Sequence, residues 1–160
     1  MRLWITRHAI AEDQSATGHD EDRRLTAHGE KLFKRFVEGL AEEQRMPQRI
    51  LSSPLIRAHQ TAEILAKASG LKKKQVEMTE QLAPGFLLSN LLQVVNESLN
   101  EGAEISDIAV VGHQPEMGAI TSQLIGGGHV LFEKGNIACI EFDGAAISGR
   151  GHLVWFRGPE

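Results

Sequence analysis

The sequence predicts an α/β fold, a three-layer sandwich in which helices flank a mainly parallel central sheet that ends in a C-terminal hairpin. Three short apolar runs, at residues 3–6, 49–52 and 108–112, have the length and composition of strands buried on both faces of a parallel sheet. Helical patterns separate these runs. Such an alternation of strands and helices is typical of a sheet that is covered on both sides.

Two amphipathic helices are predicted in the first half of the chain. In the first, apolar residues recur at helical spacing from Leu32 to Leu40, charged residues occupy the opposite face, and Thr26 is the expected N-cap. The second begins after Pro54 and ends at Gly70, because glycine readily adopts the left-handed conformation that ends many helices. Its buried stripe is predicted to contain Leu55, Ala58, Ala62 and Leu65. Two further helices are predicted at residues 87–99 and 117–125.

The remaining strands are predicted from shorter patterns. Residues 75–79 form a weaker strand candidate, while residues 137–142 and 152–156, joined by a glycine-rich turn, have the pattern of a hairpin. A chain of 160 residues with 41% apolar residues has the size of one ordinary domain. Because no linker or repeat divides it, residues 1–160 are expected to form a single domain.

Composition limits the partners of the protein. Acidic residues outnumber basic ones by 21 to 17, and the formal net charge of -4 argues against binding to nucleic acid or to an anionic membrane. No apolar run approaches the roughly 18 residues that span a bilayer, and the N-terminus lacks the pattern of a signal peptide. The single cysteine, Cys139, lies in an apolar stretch and is expected in the core. We therefore expect a monomeric, cytoplasmic protein.

Polar loops follow three of the predicted strands. Arg7-His8-Ala9 follows the first strand, residues 52–57 include the end of the second, and residues 112–115 include the end of the third apolar run. In open parallel sheets, ligands bind outside the carboxyl ends of the strands. We therefore expect one rim to bring together four side chains, those of Arg7, His8, Arg57 and His113.

These four residues suit the transfer of a phosphoryl group. A phosphate carries a charge of about -1.5 to -2 near pH 7, and the planar guanidinium groups of Arg7 and Arg57 match its oxygens. Neutral imidazole has a free lone pair, so that His8 would attack phosphorus, while His113 would donate a hydrogen bond to a developing oxygen. This chemistry depends on positioning and charge and needs neither a metal nor an organic cofactor.

The sequence favours neither a metal site nor a nucleotide site. The seven histidines include no pair at the spacing of metal ligands on a helix or in a short loop. The glycines at 126–128 end a helical pattern without the lysine of a phosphate-binding loop. A single arginine or histidine after a strand is usually a surface residue, so the phosphoryl-transfer hypothesis depends on the joint placement of the four.

The same loops resemble the signature motifs of the histidine phosphatase superfamily. Its first motif is an Arg-His-Gly or Arg-His-Ala triplet directly after the first strand, which is similar to Arg7-His8-Ala9. Its second motif resembles residues 52–62, and its third resembles Gly112-His113-Gln114-Pro115. The resemblance implies a phosphoglycerate mutase-like fold and a nucleophile at His8 that is phosphorylated during the reaction.

Within that superfamily, the short chain, the alanine of the triplet and residues 22–26 and 82–85 resemble the SixA-type phosphohistidine phosphatases. The resemblance implies that the substrate is a protein that bears phosphohistidine, and it places Arg23 and Asp20 at the rim of the phosphate pocket. Two alternatives remain open. One is a small-molecule phosphomonoesterase with the same mechanism, and the other is a non-catalytic module that binds phosphoproteins.

The general acid is the point at which the sequence departs from many members of the superfamily, which use a carboxylate to protonate the leaving group. Only Glu80 and Glu12 are near candidates. An alcohol leaves as an alkoxide about as basic as hydroxide, whose parent water has a pKa of roughly 15.7, whereas the conjugate acid of imidazole has a pKa of about 6.5. Phosphohistidine therefore needs much less help from an acid, and the SixA-type enzymes as a group lack the usual donor.

Overall fold

One six-stranded sheet organises the part of the chain that the structure describes. The structure is a computed structural model and describes residues 1–101 and 104–159. The strands are β1 (Arg2–Arg7), β2 (Arg49–Ser52), β3 (Glu77–Met78), β4 (Asp107–Gly112), β5 (Ile137–Glu141) and β6 (His152–Arg157). The helices are α1 (Ala27–Glu43), α2 (Ile56–Ala68), α3 (Leu88–Asn100) and α4 (Glu116–Ile125).

The sheet is mainly parallel, with its strands in the order β3-β2-β4-β1-β5-β6. The first four of these run parallel to one another, whereas β5 pairs antiparallel with β1, and β6 pairs antiparallel with β5. The last two strands are therefore the predicted C-terminal hairpin. β4 and β1 form the centre, and every residue of β4 is buried, as its apolar sequence predicts.

Helices cover both faces of the sheet, because successive side chains of a strand point to opposite sides. Trp4 of β1 belongs to the apolar layer under α1 and α2, which also includes Phe33 and Leu65. Ile5 belongs to the opposite layer, under α3 and α4, which includes Leu91. The predicted three-layer sandwich is confirmed.

The first helix begins and the second helix ends as the sequence predicts, but one residue of the predicted buried stripe lies outside its helix. Thr26 caps α1, because its side chain accepts a hydrogen bond from the Gly29 N–H at 2.9 Å. α2 ends at Ala68, and Gly70 follows with a φ of 74°, in the left-handed region that favours glycine. Leu55 was predicted within the buried stripe of α2, but it is the half-buried N-cap that precedes the helix.

The weak strand predicted at residues 75–79 is shorter in the structure. Only Glu77 and Met78 form β3, and Lys73–Gln75 form a 3₁₀ turn. β3 lies at the edge of the sheet, where it pairs with β2 alone, and both of its residues are exposed. Contacts between side chains on neighbouring strands stabilise strand pairing. An edge segment without a buried face therefore forms only a short strand.

Two features of the core concern the predictions from composition. Cys139 lies in β5 and is buried, as predicted. Burial raises the pKa of its thiol to about 12, so that the thiol stays protonated and packs as a small apolar side chain. Within the two described ranges, none of the helices is both long and apolar enough to cross a membrane.

Candidate active site

Three strand ends meet at one edge of the sheet, where β2, β4 and β1 are neighbours. Their pairing continues one residue beyond the strands: the His8 N–H donates to the Gly112 carbonyl oxygen at 3.0 Å, and the Ser53 N–H donates to the Val111 carbonyl oxygen at 3.0 Å. The backbone therefore fixes the first residue of each loop. The rings of His8 and His113 lie with their centroids 5.3 Å apart.

One ring nitrogen of His8 is turned toward the backbone. Its Nδ1 lies 2.7 Å from the Ala9 carbonyl oxygen. Because a carbonyl oxygen only accepts hydrogen bonds, Nδ1 bears the proton of the neutral ring and Nε2 keeps the lone pair. Ala9 is held in turn, since its N–H donates to Thr61 Oγ1 at 3.0 Å and that hydroxyl donates to the Arg57 carbonyl oxygen. Helix α2 therefore holds the loop that orients the His8 ring.

The His8 imidazole is uncharged at physiological pH. Burial lowers its pKa to about 4, against the opposing effect of the hydrogen bond to Ala9. The positive charges of Arg57, Arg7 and Arg23 lower the pKa further. A neutral ring with a lone pair on Nε2 has the form that attack on phosphorus requires.

His113 is buried against Ser53. Its Nε2 lies 2.8 Å from Ser53 Oγ, which also accepts the Leu55 N–H at 3.3 Å. Either atom can be the donor of the hydrogen bond between His113 and Ser53; when the Ser53 hydroxyl donates to Nε2, the ring proton of the neutral imidazole is on Nδ1. Burial lowers the pKa of His113 to about 3, and the positive charge of Arg57 acts in the same direction.

The guanidinium group of Arg57, in the first turn of α2, is held by Asp20. Nη1 of Arg57 donates to the backbone carbonyl oxygen of Asp20 at 2.8 Å, and Nη2 donates to Asp20 Oδ2 at 3.1 Å. Arg23 binds the same carboxylate, through Nη1 to Oδ1 at 2.9 Å. The structure therefore places Arg23 and Asp20, the two predicted rim residues, beside Arg57.

Arg7 is the last residue of β1 and reaches the loop that precedes β5. Its Nη1 donates to the Phe132 carbonyl oxygen at 2.8 Å. Its charge nevertheless acts on His8, whose pKa it lowers. The structure therefore brings to one edge of the sheet all four residues that were predicted to share a rim. We refer to Arg7, His8, Arg57 and His113 as the anion cradle.

Three side-chain nitrogens of the anion cradle are buried and have no hydrogen-bond partner among the described residues. They are Arg7 Nε, Arg57 Nε and His113 Nδ1. A buried N–H without a partner costs about 1–3 kcal/mol, which a ligand with several acceptor oxygens would recover. Two of these nitrogens belong to guanidinium groups, so the arrangement favours an anionic ligand.

The two carboxylates that the sequence offered as general acids make their contacts away from the four residues of the anion cradle. Glu80 is exposed on a 3₁₀ turn. Glu12 accepts the Arg24 N–H through Oε1 at 2.9 Å, so that its carboxylate holds the loop before α1. Neither has a hydrogen bond or an ion pair with the anion cradle in the described part of the chain.

Asp20 is the carboxylate that the structure brings to the anion cradle. Its negative charge acts on His113, whose pKa it raises slightly against the larger effect of burial. Hydrogen bonds from Arg23 and Arg57 hold the pKa of the Asp20 carboxyl group below its usual value. Asp20 is therefore ionised at physiological pH and is a poor proton donor.

Two buried polar residues orient the site without having been predicted to do so. Ser53 contacts His113, and Thr61 supports the loop after His8. Ser53 lies within the second motif, and its place directly after a strand is a signal that could have indicated a role. Thr61 lies within a helical pattern, where nothing in the local sequence distinguishes it.

The donor set of the site contains arginine and histidine and no cluster of metal ligands. Across residues 1–101 and 104–159, the structure contains no group of three or more His, Cys, Asp or Glu side chains arranged to hold a metal ion. The cationic side chains of the anion cradle would repel a metal ion. Their charge instead matches an oxyanion.

Comparison with known proteins relates the chain to one family. Residues 3–83 match the model of the histidine phosphatase superfamily, branch 1. An uncharacterized protein of Picosynechococcus sp. is 39% identical over 118 residues, which cover 74% of this chain and 69% of that protein. The phosphohistidine phosphatase SixA of Escherichia coli is 29% identical over 163 residues, which cover 99% of this chain and 94% of SixA. Among solved structures, the protein histidine phosphatase SixA complexed with tungstate has a TM-score of 0.86 at 26% identity, and the match covers 99% of this chain and 97% of that chain.

The chain belongs to the histidine phosphatase superfamily. Within that superfamily, it is similar over nearly its whole length to the SixA-type phosphatases, in agreement with the resemblance of its motifs. The shared architecture confirms the predicted α/β sandwich of the phosphoglycerate mutase-like type.

We expect the His8 ring of the free protein to stay neutral down to about pH 4, because burial and the neighbouring guanidinium groups oppose its charging. An NMR spectrum that correlates ring protons with ring nitrogens should show the Nδ1–H tautomer of His8 throughout the range of about pH 5 to 8. An unfolded reference peptide titrates near a pKa of about 6.5. A His8 ring that takes up its second proton at that same pH would contradict the assignment.

Proposed function

We propose that the protein is a cytoplasmic, metal-independent phosphatase that takes a phosphoryl group onto Nε2 of His8 from phosphohistidine on a protein substrate, and then hydrolyses it. The observation that carries this proposal is a set of three buried nitrogens that have no hydrogen-bond partner within residues 1–101 and 104–159, beside a neutral His8. They are the donors Arg7 Nε and Arg57 Nε and the ring nitrogen His113 Nδ1, which is a donor in the tautomer that bears its proton there. A transferring phosphoryl group offers three equatorial oxygens to these donors.

In the first step, the lone pair of His8 Nε2 attacks phosphorus. The bond between phosphorus and the substrate ring nitrogen breaks, and its electron pair stays with that nitrogen. The substrate ring, protonated by solvent on its other nitrogen, leaves as neutral imidazole. Arg7, Arg57 and His113 stabilise the charge on the phosphoryl oxygens without a proton transfer.

In the second step, water attacks phosphorus of the phosphorylated His8, and the bond to Nε2 breaks. The electron pair returns to Nε2, while the proton from water goes to solvent or to the departing phosphate. The hydrogen bond between Nδ1 and the Ala9 carbonyl oxygen, 2.7 Å long, keeps a proton on His8 throughout. His8 therefore leaves as neutral imidazole, which is a good leaving group.

The chemistry of the leaving group supports phosphohistidine as the substrate. Asp20 is ionised, and the exposed Glu80 and the backbone-bound Glu12 have no hydrogen bond to His8 or His113 within the described residues, so that no proton donor for an alkoxide is held at the site. Imidazole leaves without such help, because its conjugate acid has a pKa of about 6.5. The similar SixA protein of Escherichia coli is itself a phosphohistidine phosphatase.

The alternative of a small phosphomonoester keeps the same mechanism and changes the leaving group. This alternative is favoured because the four cradle residues are placed to bind the transferred phosphoryl group and do not distinguish one leaving group from another. In the other alternative, the protein is a binding module in which Arg7, Arg57 and His113 bind phosphate but no hydrolysis follows. The two experiments that follow separate these alternatives from the proposal.

We expect incubation with a phosphohistidine-bearing protein to leave a transient, acid-labile phosphate on His8, and we expect His8→Ala to abolish both the label and turnover. The nucleophile is lost in that variant, whereas the guanidinium groups that bind phosphate remain. Radiolabelled phosphate followed by peptide mapping detects the intermediate. The exposed His28 of α1 provides the control, since His28→Ala should label and turn over like the wild type. Binding of the phosphoprotein with no label at His8 would favour the binding module.

We expect a preference for phosphohistidine protein over sugar phosphates of about 100-fold or more in kcat/KM, which is the lower range of what a general acid contributes. The measurement is release of inorganic phosphate from both substrates at equal enzyme concentration. A higher kcat/KM for the sugar phosphates would overturn the choice of substrate and leave the chemistry of His8 intact.

We expect the rate of hydrolysis to be unchanged by EDTA, because guanidinium and imidazole groups supply the positive charge that a metal would otherwise provide. Phosphate release after dialysis against EDTA, with and without added Mg²⁺, measures the effect. Loss of activity on chelation that Mg²⁺ restores would show that the cradle residues do not act alone.

A further inference from the structure

Asp20 brings a negative charge into a site whose arginines attract an anionic ligand. Its carboxylate accepts from Arg57 Nη2 at 3.1 Å and from Arg23 Nη1 at 2.9 Å, so that it bridges two guanidinium groups as a phosphate would. The charge of Asp20 also acts on His113, a member of the anion cradle. The carboxylate is therefore within electrostatic reach of an anion bound there.

The contact between Asp20 and Arg57 has a fixed part and a part that is easily broken. The Asp20 backbone carbonyl oxygen accepts from the buried Arg57 through Nη1 at 2.8 Å, and any residue at position 20 would keep this contact. The Asp20 side chain, by contrast, is 65% exposed and lies on a short 3₁₀ turn, so that water can replace its hydrogen bonds. The carboxylate is thus not needed to hold Arg57 in place.

We propose that Asp20 acts as an internal counter-anion that weakens the binding of inorganic phosphate in the anion cradle. It competes for donors of Arg57 and Arg23, and its charge repels the oxyanion. As far as phosphate is the reaction product, this inference rests on the proposed function, and Asp20 then limits product inhibition. A phosphoprotein substrate, which makes further contacts outside the cradle, is affected less than free phosphate.

The test compares Asp20→Asn with Asp22→Asn in the full-length protein. Asp22 is a matched control, because it lies in the same 3₁₀ turn and binds Thr17 Oγ1 at 2.6 Å instead of an arginine. Isothermal titration calorimetry with inorganic phosphate at constant ionic strength gives the dissociation constant. We expect Asp20→Asn to bind phosphate about three- to fivefold more tightly, the upper part of the range expected from one exposed ion pair, and Asp22→Asn to bind like the wild type.

Two further measurements make the result specific. The gain in affinity should shrink at high salt, because screening weakens the repulsion that the substitution removes. Asp20→Ser, which removes the charge with a smaller side chain, should show the same gain, and thermal unfolding checks that each variant is folded. Unchanged or weaker phosphate binding in folded Asp20→Asn and Asp20→Ser would overturn the inference.

The measurement of phosphate affinity and the test of the proposed function can give negative results independently of each other. If His8 forms no phosphorylated intermediate but Asp20→Asn binds phosphate more tightly, the proposed enzyme is wrong and the counter-anion is right. If His8 is phosphorylated and the affinity of Asp20→Asn for phosphate does not rise, the enzyme is right and the counter-anion is wrong. In an enzyme that has both, the inhibition constant of phosphate in turnover falls in parallel with its dissociation constant.

Discussion

The register between β1 and β4 is the constraint on which the site depends. Arg7 lies opposite Gly112, so that the two strands end together and each is followed directly by a histidine. A shift of β1 by one residue would turn its side chains to the other face of the sheet, which would move Trp4 out of its apolar layer. Because β1 is buried on both faces, such a shift is costly. Packing of the core therefore fixes the distance between the two imidazole rings.

The same fold holds positive charge in place mainly through backbone carbonyl groups, although Arg57 also pairs with the exposed Asp20 carboxylate. Arg7 donates to the Phe132 carbonyl oxygen and Arg57 donates to the Asp20 carbonyl oxygen, and a carbonyl group orients a guanidinium while leaving its net charge. That charge, together with burial, keeps the two histidines neutral, and it attracts an oxyanion. The neutral state of the two histidines and the attraction of the site for an oxyanion thus have a common origin.

The sequence predicts the parts of the site that depend on local pattern. Apolar runs indicate where the central strands end. The topology of a parallel sheet then predicts that Arg7, His8, Arg57 and His113 lie together at the carboxyl ends of those strands. The bridge from Asp20 to Arg57 was not predictable in the same way, because it depends on the path of a loop that is 37 residues away along the chain. The short length of β3 likewise depends on its place at the sheet edge, which no local pattern reveals.

The two histidines show why side-chain identity alone does not define a role. The structure holds the two rings by different nitrogens. In His8, Nδ1 faces the Ala9 carbonyl oxygen, and Nε2 with its lone pair is left for attack. In His113, Nε2 contacts the Ser53 hydroxyl, and Nδ1 is a buried nitrogen without a hydrogen-bond partner among the described residues. The backbone partner of His8 and the hydroxyl partner of His113 therefore decide which ring nitrogen each histidine presents to a ligand.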